Sequence, residues 1–116
     1  MPVRVNARNR VFVITASGDL DLVSRALLDA AVDYAIMGDW SVIAVDLGEL
    51  HFIDVVGAEP LHRLTLTISD RTILIVNCSP TVDRHLRLFG LGDWVVAVEQ
   101  LPSVIDDELA DLLRLG

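Results

Sequence analysis

The sequence predicts an α/β domain, with a mixed and mostly parallel sheet of four to five strands and about four helices. Three observations predict it. The runs VFVIT (11–15), SVIAVDL (41–47), TILIV (72–76) and WVVAV (94–98) are short, β-branched and nearly continuous in hydrophobicity, as strands covered by helices are. Amphipathic segments of helical period lie between these runs. Strand and helix therefore alternate, the order that builds a parallel sheet. With 116 residues, 53% of them hydrophobic, the chain fits a single domain, 1–116, with a core of its own.

Taken in order, residues 2–6 can add an N-terminal strand, so the expected sequence of elements is β-β-α-β-α-β-α-β-α. In the first helix, 22–37, Val23, Leu27, Ala30, Tyr34 and Met37 recur at i, i+4, i+7, i+11 and i+14 and form the expected buried stripe. Arg25, Asp29 and Asp33 then fall on the solvent side. The second helix has Leu61, Leu64 and Ile68 as its stripe and Glu59–Arg63 as an i, i+4 ion pair. Its start is ambiguous. Gly57 weakens a first turn and Pro60 cannot donate to the carbonyl of Val56. The helix begins either near Glu59 or at an Asp54 cap with a distorted first turn.

Ser79 caps the third helix with Pro80 at its first position, and Val82, Leu86 and Phe89 form its stripe. Gly90 supplies a left-handed turn that folds Leu91 back toward Leu86. The last helix, about 103–115, opens on Ser103 and the acids Asp106, Asp107 and Glu108, closes near Arg114, and would bury Ile105, Leu109 and Leu112.

Charge and composition exclude several function classes. The net charge is -8, with nine arginines and no lysine, so phosphate backbones and anionic lipid surfaces are repelled. Neither nucleic acid nor membrane is an expected partner. No apolar run approaches the roughly 18–20 residues of a membrane span, and the run Val11–Ala16 is too short for a secretory leader of roughly 7–15 apolar residues. The expected location is the cytoplasm. A single cysteine, Cys78, rules out an internal disulfide framework. His51, His62 and His85 have no metal-ligand spacing, so no metal or cofactor is expected.

Three stretches, in order, carry a resemblance to a known family. Gly18-Asp19-Leu20-Asp21 resembles a G-E-L-D turn after a second strand. Val45-Asp46-Leu47 through Phe52-Ile53-Asp54-Val55-Val56-Gly57 resembles a V-D-L-x-x-V-x-F-I-D-S-S-G strand and loop. Cys78-Ser79-Pro80 through Leu86-Arg87-Leu88-Phe89-Gly90-Leu91 resembles an S-P-x-V-x-x-x-L-x-x-x-G-L helix. The set covers about residues 10–98 and is similar to the STAS domain of bacterial anti-sigma factor antagonists.

The resemblance implies a regulatory binding protein, not an enzyme. Such antagonists bind an anti-sigma factor, usually an ATP-binding serine kinase, and so free a sigma factor. The kinase phosphorylates the first serine of D-S-S-G, and the added charge of about -1.5 to -2 breaks the interface. Here that acceptor position is Val55, which has no hydroxyl. The expected partner surface is Asp21, Asp54, Val55, Val56, Gly57 and Glu59, with Ser79 and Thr81 at the neighbouring helix start. Asp54 would cap the helix, the valines would pack on the partner, and Gly57 would permit close backbone approach. A homodimer is a further possible assembly.

Two other readings stand beside this one. The domain can serve instead as a scaffold or adaptor in a signalling or lipid-transport complex. Cys78 and Arg84 also spell the C-x5-R spacing of a cysteine phosphatase. That chemistry needs a thiolate of lowered pKa and a ring of backbone amides, one of which Pro80 removes.

Overall fold

The computed structural model describes residues 2–97. Strand β1 (Val3–Arg8) and strand β2 (Val11–Leu20) form an antiparallel hairpin. Helix α1 (Arg25–Met37), strand β3 (Val42–Ile53), helix α2 (Val55–Thr67), strand β4 (Thr72–Val76) and helix α3 (Pro80–Leu88) follow, and a short 3-10 turn spans Gly92–Trp94. The sheet order is β1-β2-β3-β4, with β2, β3 and β4 parallel. The mixed, mostly parallel sheet expected from the alternation is therefore present, with four strands and three α-helices among the described residues.

The apolar runs make the sheet for the reason their composition gives. Ile14, Ile43, Val45 and Ile75 point to a core shared with the helices, and Val11, Val13, Val42, Ala44, Leu74 and Val76 form a second buried layer on the other face. Two strands run past their apolar segments. β2 and β3 stay paired through Leu20↔Ile53, with register shifts between Thr15 and Ser17 and between Gly18 and Asp19. WVVAV does less than its composition suggests. Val95 makes one parallel bridge to Ile75, and the Val96 amide donates to the Ile75 carbonyl at 3.0 Å. The proposed helix at 103–115 lies outside the described residues.

Helix α1 corrects the expected stripe. Its buried residues are Leu28, Ala31, Val32 and Ala35. Val23, Tyr34 and Met37 are 88%, 69% and 84% exposed, and Leu27 and Ala30 also reach solvent. The buried set is the expected one moved by one residue, a rotation of about 100°. The cause is tertiary: the small Ala31 and Ala35 face the core, and the charged residues meet a second helix rather than water. Arg63 of α2 pairs with Asp29 at 3.1 Å and Asp33 at 2.8 Å, while Glu59 pairs with Arg25 at 2.9 Å. These bonds replace the expected Glu59–Arg63 pair. Burial pulls the Arg63 pKa down, yet hydrogen bonds to Asp29 and Asp33 leave it above its ordinary value.

Helix α3 follows its sequence signals closely. The Ser79 hydroxyl accepts from the Val82 amide at 3.2 Å, Val82 and Leu86 are buried, and Gly90 has φ +84°. The Leu91 amide donates to the Leu86 carbonyl at 2.8 Å and Leu91 is buried. His85 does not stand free in solvent. It stacks on Phe89 with ring centroids 6.1 Å apart.

Candidate functional site

The end of the sheet where β2 and β3 finish brings two turns together. Leu20 and Ile53 are partners in register, so the turn leading to α1 and the turn leading to α2 leave side by side. The Asp54 amide donates to the Leu20 carbonyl at 3.2 Å and ties them.

Helix α2 starts at the Asp54 cap, which decides between the two starts open to sequence reading. The Asp54 carboxylate accepts from the Gly57 amide at 2.7 Å, and its carbonyl accepts from the Ala58 amide at 3.0 Å. One orphan amide of the first turn is thereby satisfied. Pro60 is then inside the helix and buried. Gly57 is essential to this arrangement. A Cβ there would run into the Leu20 carbonyl and, at 2.9 Å, the Asp21 amide, which are backbone groups that cannot swing away.

Asp21 builds the other turn. Its carboxylate accepts from the amides of Val23 at 3.0 Å and Ser24 at 3.2 Å, and the buried Ser24 hydroxyl donates to the Asp19 carbonyl at 2.7 Å. The carboxylates of Asp21 and Asp54 are thus engaged with backbone amides, shaping the turns. Much of what faces solvent is apolar. Val55, the first residue of α2, is 56% exposed and Val56 half-buried. Phe52 at the end of β3 and Leu22 and Val23 in the turn before α1 are exposed too. Glu59 is exposed while held by Arg25.

Five of the expected site residues, Asp54, Val55, Val56, Gly57 and Glu59, share one loop and helix start, and Asp21 joins them through Leu20. Ser79 and Thr81 do not. The start of α3 sits beside the β3 segment Asp46–Gly48, where Asn77 donates to the Asp46 carboxylate at 3.2 Å. Gly48 and Asp54 are six positions apart, roughly 20 Å along an extended chain. β3 outruns β4, and that difference splits the two helix starts. Sequence reading missed Phe52, Leu22 and Val23. The signal was available, since all three are large apolar residues in or beside turns of polar composition.

The environment of Cys78 opposes phosphatase chemistry. Burial, with Asp83 and Asp46 nearby, pushes its thiol up to about 11, whereas a nucleophilic cysteine needs a lowered pKa. No cluster of three metal-binding side chains exists among the described residues. An open cleft of about 440 Å³ lies at the opposite end of the sheet between Arg10, Asp39, Trp40, Ser41 and Arg71. Its charges are already paired: Arg10 binds Asp39 at 3.1 Å, and that hydrogen bond holds the Asp39 carboxyl below its ordinary range. No described helix is long and apolar enough to cross a membrane.

Solved structures share this fold. The anti-sigma factor antagonist SpoIIAA in its unphosphorylated form is 24% identical with a TM-score of 0.70, over 94% of this chain and 96% of that one. Bacillus SpoIIAA in its phosphorylated form is 23% identical with a TM-score of 0.66, over 92% and 98%. An anti-sigma factor antagonist from Mycobacterium paratuberculosis is 22% identical with a TM-score of 0.75, over 95% and 92%. No curated protein matches the chain. The STAS-domain profile matches residues 2–108, nearly the whole length, and includes both turns of the site. By that match the chain belongs to the STAS domain family.

Proposed function

We propose that this protein is an anti-anti-sigma factor whose docking loop has lost its phosphorylation switch. As one domain, 1–116, it binds a cytoplasmic anti-sigma factor of the ATP-binding serine kinase type and so frees a sigma factor. The surface is the exposed apolar start of α2, Val55 and Val56, rimmed by Asp21 and Glu59, with Asp54 and Gly57 holding the loop's shape. Similar structures support this reading: SpoIIAA is an anti-sigma factor antagonist seen both with and without phosphate.

One observation carries the proposal. Val55 stands at the exposed first position of α2, directly after the Asp54 cap, where the family motif has its acceptor serine. A valine keeps an uncharged surface there whatever the kinase does, because it offers no oxygen to phosphorylate. An apolar, partly exposed patch at a helix start also suits a protein interface.

The test is affinity co-purification from native cell extract with and without Mg-ATP, using the wild type and Val55→Ser. An ATP-binding anti-sigma kinase should remain on the wild type in Mg-ATP, and Val55→Ser should be phosphorylated at residue 55 and released. Release of the wild type by Mg-ATP would place a switch elsewhere and refute the lost-switch reading. Recovery of scaffold or transporter subunits with no kinase would refute the sigma-factor role.

A further inference from the structure

The two turns of the site are tied together at two levels. At the sheet end the tie is backbone: the Asp54 amide donates to the Leu20 carbonyl at 3.2 Å, and Gly57 sits against that same carbonyl. Further out the tie is a side-chain pair. The guanidinium of Arg25, the first residue of α1, meets the Glu59 carboxylate of α2 at 2.9 Å. Each end of that pair is anchored in its own turn. The Arg25 amide donates to the Asp21 carbonyl at 3.0 Å, so the residue that bridges to α2 also closes the turn carrying Leu22 and Val23. Glu59 stands four residues after Val55, on the same face of α2, and directly follows Ala58, whose amide donates to the Asp54 carbonyl.

We infer, resting on the docking role proposed for this loop, that Arg25 is a positioning residue of the surface. Through Glu59 it fixes the start of α2 against the turn before α1, so that both turns present their apolar side chains as one unit. Distance favours Glu59 over the competing acid. Arg25 lies 3.7 Å from Asp29, a carboxylate that Arg63 already holds at 3.1 Å. Glu59 then rims the patch with its charge met inside the molecule. It is a strut rather than a contact for a basic group of the partner. Both side chains are partly exposed, so the clasp is of the modest strength of an exposed ion pair. Its effect is to couple the two turns: whatever orders one of them orders the other.

Such coupling is reciprocal, and amide hydrogen exchange of the full chain on its own reads it. Glu59→Gln should speed exchange of the Val23 and Ser24 amides, on the opposite turn, by about 3- to 5-fold. Arg25→Gln should speed exchange of the Gly57 and Ala58 amides by about the same factor. The double variant should be no worse than either single one, and Arg25→Lys should restore part of the protection. The Val82 and Leu91 amides of the α3 region should stay unchanged. Unaltered exchange at the opposite turn in both single variants overturns the inference. Additive effects of the two substitutions overturn it too, as does a uniform rise that includes Val82 and Leu91. The kinase recovered in the co-purification above should bind Arg25→Gln and Glu59→Gln equally, each about 3- to 5-fold more weakly than the wild type. A loss confined to Glu59→Gln makes that residue a direct contact and overturns the positioning role. If no kinase is recovered, the docking reading fails, and the exchange result still decides whether Arg25 holds the two turns.

Discussion

At Gly57 one methyl group separates a working loop from a blocked one. A Cβ would enter the space of the Leu20 carbonyl, and both partners are backbone. Gly57→Ala should lower stability by about 2–3 kcal/mol in urea denaturation, within the range of overpacking a rigid site. Val55→Ala, on an exposed side chain two residues away, should stay within about 0.5 kcal/mol of the wild type. Equal stability of the two variants would contradict the packing described. Cys78 makes the second test at this scale. With its thiol near 11, the folded protein at pH 8 should react with iodoacetamide about 100-fold more slowly than an unperturbed cysteine, and faster as pH rises toward 11. The raised value means the folded state holds the proton more tightly, so the thiol's share of stability is complete below its ordinary 9 and lost as pH climbs through about 11.

Between α1 and α2, a network of half-exposed charges flanks the buried face of α1. Arg63 bridges Asp29 and Asp33, and Arg25 reaches Glu59. Arg63→Ala should cost about 1 kcal/mol at low salt, since exposed pairs are individually weak and this residue serves two. The cost should shrink at 1 M NaCl, where the screening length falls to about 3 Å. A cost independent of salt would assign Arg63's contribution to the packing of its apolar stem instead. The start of α2 was legible only as two alternatives. Asp54 resolved them because its carboxylate reaches the Gly57 amide, a bond whose geometry depends on Leu20 holding the loop from the neighbouring strand.

Across the whole molecule, the excess of acids bears on the proposed encounter with a partner more than on the fold. With a net charge of -8, the association rate with the proposed anti-sigma partner, if met through a basic patch, should fall on the order of 10-fold between roughly 50 and 500 mM NaCl. Dissociation from an apolar loop centred on Val55 should change much less. Stopped-flow mixing at several salt concentrations measures both, and a salt-independent association rate would exclude electrostatic steering.

Local chemistry determined much of this protein. Continuous β-branched runs favour covered strands, and three of the four such runs here form them, so the α/β class was legible. Ser79, Pro80 and Gly90 set both ends of α3 through hydrogen bonds and dihedrals that span a few residues. The ordered motifs pointed to the Asp54–Gly57 loop as the proposed site, with Val55 where the family motif has serine. Only the tertiary structure decided which of two apolar faces of α1 is buried, because both are apolar in sequence and the choice of Leu28, Ala31, Val32 and Ala35 depends on what the sheet and α2 present to the helix. It alone separated Ser79 and Thr81 from the loop, since the relative lengths of β3 and β4 set where their helices begin. Phe52, Leu22 and Val23 joined the candidate surface for the same reason: exposure depends on what packs over a side chain, and distant parts of the chain supply that.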